Sequence, residues 1–328
     1  MDYSRRHFVR TLFVASQATL LGRLVPTHLY GDESAPAALN FVVIGDWGRQ
    51  GRPDQKQVAD QMALAARDSG AKFVISVGDN FYENGVKSID DDHWQKSFEE
   101  VYAAPSLQVP WYTILGNHDY HGNCDIQIEY GKTHPRWVMP ARYYNKVQQI
   151  DASSTVEFFY IDTSPMVKAY LKTEHPEHPD LRDHVISQDV PAQLQWFERA
   201  LAASHADWKI VIGHHPVYSG GGAHGDQPEL IERVLPLLHK YKVAAYFCGH
   251  DHDLQHLKEG AVNFFVSGGG SEHRPDHETP RTQFVRPSSG FMAVSLTKEK
   301  MQVRLIDNLG SLLYTTTVPD LGSAVNSG

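Results

Sequence analysis

The chain runs to 328 residues, 41% of them hydrophobic and 21% charged, enough apolar material for one large domain or two intimate ones. Its formal charge of −9 argues against a nucleic-acid surface, and an acidic protein attracts anionic substrates poorly unless bound cations reverse the local field. With only two cysteines, Cys124 and Cys248, there is no disulfide framework of the kind small secreted folds need.

Residues 1–37 open with Ser4-Arg5-Arg6-His7-Phe8-Val9-Arg10, continue through a moderately apolar run at 11–21, and reach small residues at 34–38. A basic amphipathic helix or a membrane anchor are the alternatives, but the apolar run is short for a span and is interrupted by Ser16 and Gln17. Paired arginines before a weakly apolar segment resemble a twin-arginine export signal, which implies the twin-arginine machinery as a partner and a periplasmic or secreted location. Without residues 1–37 the chain keeps 26 basic and 36 acidic residues, a charge of −10. The fold proper is set at residues 38–319, with 320–328 read as a frayed tail.

Strand-like and helix-like segments then alternate, the signature of a layered α/β domain. Residues 41–46 predict a strand and 54–68 an amphipathic helix with Val58, Met62, Leu64 and Ala65 on one side. A strand at 73–79 precedes a helix at 92–103 with Trp94, Phe98, Val101 and Tyr102 on its apolar face. Residues 137–151 show scattered aromatics without a period, and 157–162 return to strand character. The stretch 165–190, rich in Pro, His and charge, reads as a long surface loop, with disorder and a lid both open. Helices are predicted at 191–204 and 228–241, and strands at 208–214 and 243–248. In the last quarter, strand-like segments at 262–267, 290–296, 301–306 and 312–318 predict an antiparallel addition closing a second sheet over the first.

Five of the apolar runs end in Gly followed by a metal-ligand type: Gly45-Asp46, Gly78-Asp79, Gly116-Asn117-His118, Gly213-His214 and Gly249-His250-Asp251-His252. A lone His-x-His proves little in a chain with 19 histidines. Five such strand ends together point to one pocket, because ligands bind at the carboxyl ends of strands in open α/β sheets. His250 and His252 face the same way if the backbone stays extended past Gly249. Cys248 reads as a packed thiol at a strand end, and pairing with Cys124 stays open. The set Asp46, Asp79, Asn117, His214, His250 and His252 is too large for one tetrahedral ion, and its mix of oxygen and nitrogen suits Fe, Mn or Zn. Two ions sharing one carboxylate would use every ligand, an arrangement that activates water for phosphoester hydrolysis.

In order, Gly45-Asp46-Trp47-Gly48, Gly78-Asp79-Asn80-Phe81-Tyr82, Gly116-Asn117-His118-Asp119, Gly213-His214-His215-Pro216 and Gly249-His250-Asp251-His252 resemble the five blocks of calcineurin-like metallophosphoesterases. The Tyr82 block, Pro110-Trp111-Tyr112 and residues 122–137 resemble the purple acid phosphatases of the compact tartrate-resistant type. That resemblance implies an α/β fold: a four-layer α-β-β-α sandwich of two mixed sheets flanked by helices, with the metal site at the carboxyl ends of the strands. It also implies two metal ions, Fe(III) at Asp46, Asp79, Tyr82 and His252, and Fe(II), Zn or Mn at Asp79, Asn117, His214 and His250, bridged by Asp79. A phenolate from Tyr82 would stabilise the trivalent state; outside this block Tyr82 would read as a buried aromatic with a satisfied hydroxyl.

The resemblance assigns His118 to phosphate contact or leaving-group protonation. Asp119 is expected either to orient that ring or to close a loop as an Asx turn. His224 falls where compact members carry a second active-site histidine, the alternative being a solvent-facing side chain in a flexible loop. His215 replaces the tyrosine of the mammalian pattern, and no role is assigned to it. The function implied is an exported acid phosphatase that hydrolyses phosphomonoesters by attack of a metal-activated hydroxide, without a phosphoenzyme. A small phosphoester and inorganic phosphate are its expected partners, with no nucleic acid, no stable membrane span and a monomeric state. The alternatives are a phosphodiesterase or nucleotide pyrophosphatase at the same site, and a non-catalytic iron-binding protein, against which retention of His118 argues. The mammalian cysteine pair near an inhibitory loop has no counterpart at 165–190 or 220–228, so gating by that loop stays open.

Overall fold

A computed structural model of the chain describes residues 37–172 and 179–320. The expected export signal and tail therefore lie, apart from Ala37 and Asp320, outside the described residues. No helix among the described residues is long and apolar enough to cross a membrane.

Strands β1 (Leu39–Ile44), β2 (Phe73–Ser76), β3 (Trp111–Thr113) and β4 (Trp137–Val138) lie side by side and parallel. A hairpin of β5 (Tyr144–Gln149) and β6 (Thr155–Tyr160) starts a second sheet, which continues in parallel through β7 (Trp208–Ile212) and β8 (Ala245–Cys248). Next come β9 (Leu254–Glu259), β10 (Val262–Ser267) and β11 (Thr282–Arg286); β10 runs parallel to β8, and β9 pairs antiparallel with both β10 and β11. Finally β12 (Gly290–Leu296), β13 (Lys300–Asp307) and β14 (Leu312–Pro319) form an antiparallel meander beside β1. The result is two seven-stranded mixed sheets, ordered β14-β13-β12-β1-β2-β3-β4 and β11-β9-β10-β8-β7-β6-β5. The predicted antiparallel addition is thus corrected in one respect. Residues 290–319 extend the first sheet, while 262–267 supplies a strand inside the second.

Side-chain alternation divides the apolar runs between layers. Phe41 and Val43 enter the core between the sheets, while Val42 and Ile44 face the helical layer outside the first sheet. Phe41 stacks on Phe73 at 5.1 Å and meets Phe158 of the second sheet edge-on at 5.4 Å. Helix α1 (Gln55–Ser69) covers the first sheet through Val58, Met62 and Ala66, spaced by four, and stops at Gly70, whose φ of 65° allows its N–H to bond the Ala66 and Arg67 carbonyls. Leu64, expected on that face, is 45% exposed, since two residues beyond Met62 the helix has turned by more than half a revolution.

Residues 92–103 are helical mainly as a π-helical segment, Trp94–Glu99, which seats Trp94 against Tyr130 at 3.6 Å. Tyr130 belongs to α2 (Cys124–Thr133), a helix without a signal in the apolar pattern, started by Asn123, whose side chain accepts the Asp125 N–H. Of the stretch 165–190, residues 173–178 lie outside the described residues, and the remainder is corrected from a loop to short helices, α3 (Lys168–Lys172) and α4 (Pro179–Ile186), with Met166, Val167 and Val185 buried. Over the second sheet lie α5 (Val190–Ala203), capped by Asp189, and the expected helix at 228–241. The latter splits into α6 (Pro228–Arg233) and α7 (Leu235–Lys240), because Pro236 has no N–H to carry the ladder through. Helix, sheet, sheet, helix is the expected four-layer order. Cys124 and Cys248 are both free and buried, so the open disulfide pairing is not made; their thiols donate to the Asp119 and Phe265 carbonyls.

Candidate metal centre and active site

Strand register brings the five Gly-ligand junctions to one edge. Ile44 is level with Ser76, Ser76 with Thr113, and Ile212 with Phe247. Beyond those ends the chain turns sharply: Asp46, Asp79 and His250 all have positive φ, at 59°, 49° and 70°, conformations that non-glycine residues hold only where the surroundings enforce them. The glycines are explained by crowding. A Cβ on Gly249 would lie 2.1 Å from Asp46 Oδ2, and one on Gly116 2.1 Å from Asp79 Oδ1. The expectation that residues 250–252 stay extended is corrected, since Asp251 N bonds the Gly249 carbonyl and Asp253 N the Asp251 carbonyl, a pair of tight turns. His250 and His252 reach the site through those turns and not by strand alternation.

Two groups of donor atoms meet there. In the first, the Tyr82 hydroxyl lies 3.0 Å from Asp46 Oδ1, 2.9 Å from Asp79 Oδ2 and 3.1 Å from His252 Nε2. His252 Nδ1 donates to Glu272 Oε1 at 2.8 Å, which leaves a lone pair on Nε2 when the ring is neutral. In the second, His214 Nδ1 donates to the Val77 carbonyl at 2.9 Å, and Nε2 lies 3.1 Å from Asn117 Oδ1 and 3.4 Å from Asp79 Oδ2. His250 packs beside it, ring centroids 5.2 Å apart, and Asp46, Asp79 and His214 each offer an atom within 4.8 Å of the others.

The electrostatics follow from this packing. Burial alone would raise Asp79, but His214 and His118 hold its carboxyl far below the usual range. His214 is buried too, which would lower it, yet Asp79 lifts it to about 9. Burial opposes and Asp46 and Glu272 favour the charged form of His252, also lifted to about 9. Burial and the surrounding imidazoles push His250 well below the ordinary value, keeping it neutral. Burial and then Asp46 and Asp79 push the Tyr82 phenol well up, with Arg49 opposing.

This donor set fits cations. Around the Tyr82 hydroxyl, two carboxylates present lone pairs, joined by His252 Nε2 when that ring is neutral, and the phenol has a single proton to share among them; in the metal-free site a proton on His252 offsets this crowding, a place a cation would take. At His214 the neutral ring would face Asn117 Oδ1 and Asp79 Oδ2 lone pair to lone pair; a proton resolves the conflict, and so would a metal. Phenolate, carboxylate, amide oxygen and imidazole together suit Fe, Mn or Zn.

Around these groups, His118 donates its backbone N–H to Asp79 Oδ1 at 2.8 Å and its Nδ1–H to the Glu83 carbonyl at 2.7 Å, with its ring 4.3 Å from that of Tyr82. His224 stands with its ring 4.0 Å from that of His250, on a loop pinned where Ser219 bonds Asp251 and Gly221 N bonds Ser219. Asp119 accepts from Gly116 N at 2.9 Å, Asn80 N at 3.1 Å and Gln127 Nε2 at 2.7 Å, bonds that tie neighbouring loops together without forming the expected Asx turn and do not run to the His118 ring. Burial and the Asp79 charge push this carboxyl up to about 7. His215 lies near His250 but has both ring nitrogens engaged, by Thr163 and Tyr170 hydroxyls.

Two residues of the site carry no motif in the sequence. Glu272 holds His252, and Arg49 bonds Glu272 Oε1 at 3.1 Å while its guanidinium lies 3.7 Å over the Tyr82 ring. The His252 hydrogen bond holds the Glu272 carboxyl down at about 2, against partial burial. The only available signal was position, with Arg49 directly after the Gly48 block and Glu272 after a Gly-Gly-Gly-Ser turn.

The chain matches the family model described as calcineurin-like phosphoesterase over residues 39–254. It is 36% identical to purple acid phosphatase 7 of Arabidopsis thaliana over 95% of this chain and 94% of that one. It is also 36% identical to tartrate-resistant acid phosphatase type 5 of Sus scrofa over 94% and 95%. Among solved structures, GAP50, the anchor in the inner membrane complex of Plasmodium, shares the fold at a TM-score of 0.74 and 24% identity, over 87% of this chain and 89% of that one. The purple acid phosphatase PPD1 of yellow lupin shares it at 0.65 and 17%, over 90% and 56%. The chain belongs to the calcineurin-like metallophosphoesterases and, within them, to the purple acid phosphatases that include the tartrate-resistant type 5 enzymes.

Proposed function

We propose that this protein is an exported acid phosphatase that hydrolyses phosphomonoesters at a dinuclear centre, with Fe(III) held by Asp46, Asp79, Tyr82 and His252. Asp79, Asn117, His214 and His250 would hold the second ion, Fe(II), Zn or Mn. The observation that carries the reading is the convergence of Asp46, Asp79 and His252 on the Tyr82 hydroxyl beside a second donor group that shares Asp79. When bound, such ions supply an activated water and neutralise charge on the phosphoryl oxygens. The chain supplies the rest. His118, with Nδ1–H fixed on the Glu83 carbonyl, has Nε2 left to pass a proton to the departing alkoxide. Its backbone N–H and His214 restrain Asp79 from two sides. His224 closes the site next to His250 and is a second candidate for the proton transfer. Paired Arg5 and Arg6 support export through the twin-arginine route.

Metal analysis and a visible spectrum of the purified protein, with 4-nitrophenyl phosphate compared against its bis-ester, test the reading. Two metals per chain, a visible band with iron present and faster turnover of the monoester are expected. Faster turnover of the diester would make the protein a phosphodiesterase, and metallated protein without hydrolysis would make it a metal binder. Retention in the cytoplasm would refute export.

A further inference from the structure

The Arg49 side chain is 14% exposed and uses each nitrogen of its fork differently. Nε donates to Ser271 Oγ at 3.2 Å, Nη2 to Glu272 Oε1 at 3.1 Å, and Nη1 to the Glu83 carboxylate. Two of these acceptors, and the backbone of the third residue, continue to groups already placed in the site. Ser271 Oγ bonds the Asp46 carbonyl at 2.7 Å, Glu272 receives His252 Nδ1–H, and the Glu83 carbonyl receives His118 Nδ1–H. The guanidinium plane itself covers the Tyr82 ring. Its backbone is fixed as well, with Arg49 N on the Trp47 carbonyl at 2.8 Å and on Gln55 Oε1 at 3.0 Å. The His214 side of the centre is held by a different group, the Val77 carbonyl.

We propose that Arg49, acting with Glu272, is a positioning residue that keeps Tyr82, His252 and His118 in mutual register, bracing the tyrosine-bearing half of the metal centre and the proton donor as one unit. The inference rests on the proposed function, in which Tyr82 and His252 hold a metal. Three physical effects combine. A cation over the ring face is attracted to the aromatic quadrupole, and its charge favours the phenolate over the phenol. The same charge is paired with Glu83 and with Glu272, to which Arg274 Nη2 also donates at 3.1 Å. An anionic Glu272 then fixes the His252 tautomer, with Nε2 turned toward the donor cluster. A lysine cannot replace this, because a single ammonium does not present a planar fork.

The test uses full-length metallated protein and the variants Arg49→Met, Arg49→Lys and Glu272→Gln, dialysed against graded chelator while metal per chain is counted. In Arg49→Met one of the two metals is expected to leave at a chelator activity about ten- to a hundredfold lower than in wild type, with the other retained. Any visible band should shift in energy, and kcat should fall while KM for 4-nitrophenyl phosphate changes little. Arg49→Lys should not restore retention, and Glu272→Gln should release the same metal. Retention of both metals with an unmoved band, or equal loss of both, overturns the proposal. If Arg49→Met fails to fold, Glu272→Gln, altered at a 29% exposed side chain, decides between the same outcomes by itself. Wild-type protein that binds no metal overturns the dinuclear centre along with this proposal, whereas metallated wild type beside an unchanged Arg49→Met overturns this proposal only.

Discussion

Removing the metals and raising the pH probes the site directly, because protons and cations compete for the same lone pairs. In the metal-free protein His214 and His252 are lifted to about 9 by Asp79, Asp46 and Glu272, despite burial. A histidine raised above its unfolded value of 6.5 contributes stability that is fully present below pH 6.5 and lost as pH climbs through about 9. Asp79 works in the opposite sense, its contribution present above the usual carboxylate range and lost only in strong acid. The His214–Asp79 attraction is one interaction, counted once. A rise of this size corresponds to about 3 kcal/mol for each histidine and about 6 kcal/mol for the two, which in a chain of this length lowers Tm by roughly 10–20 °C across the window. Thermal unfolding of chelated protein followed from pH 6.5 to about 9 reads the fall. Metal-loaded protein should show no such fall, since neutral imidazoles bind metal more tightly as pH rises. A metal-free Tm that stays level or increases over the window would refute the reasoning.

Three substitutions separate the roles assigned to individual side chains. His118→Ala should keep both metals and any visible band while kcat falls about 10²- to 10⁴-fold; loss of metal instead would move His118 among the ligands. Tyr82→Phe removes the hydroxyl at the centre of the first donor group and should abolish a visible band with the fold intact, as near-ultraviolet circular dichroism would show. Asp119→Asn turns a donor toward the Gly116 and Asn80 N–H groups, which should cost about 2–3 kcal/mol in denaturant unfolding. A fall in kcat without that loss would support the orienting role.

The convergent strand-end donors were legible in the sequence because two constraints act locally and together. A buried parallel strand must be apolar on both faces, and a ligand approached this closely by backbone needs glycine beside it, as Gly116 and Gly249 show. Tyr82 became legible only through its block, since nothing in its spacing distinguishes it from a packed aromatic. Arg49 and Glu272 left no pattern at all, being 223 residues apart and joined only once both sheets are in place. Helix α2 was hidden by its composition: Gln127 and Tyr130 are buried without an apolar stripe, because they serve the hydrogen bond to Asp119 and the stack on Trp94. Residues 165–190 misled in the other direction, their polarity concealing Tyr170 and His184, whose polar atoms bond His215 and the Tyr120 carbonyl.

The division of donors between the sheets has a consequence of its own. Asp46, Asp79, Tyr82 and Asn117 follow strands of the first sheet, and His214, His250 and His252 follow strands of the second. Oxygen donors therefore come from one sheet and nitrogen donors from the other, and the bonds from His250 N to Asp46 and from His214 Nδ1 to Val77 cross the seam. Cations bound there would tie the sheets together, and coordination geometry would depend on how closely the edges approach. Gly249→Ala tests this, because the new Cβ would sit 2.1 Å from Asp46 Oδ2 and 3.2 Å from Val77 Cγ2, forcing the seam open at the site. Overpacking of that kind costs about 1–3 kcal/mol. Gly70→Ala is the matched control, with φ at 65° and nothing within 4 Å of the added carbon, so it costs about 1–2 kcal/mol in backbone strain alone. Similar losses of stability are expected from the two, with metal released only by Gly249→Ala. If both retain metal equally, the seam does not set the coordination.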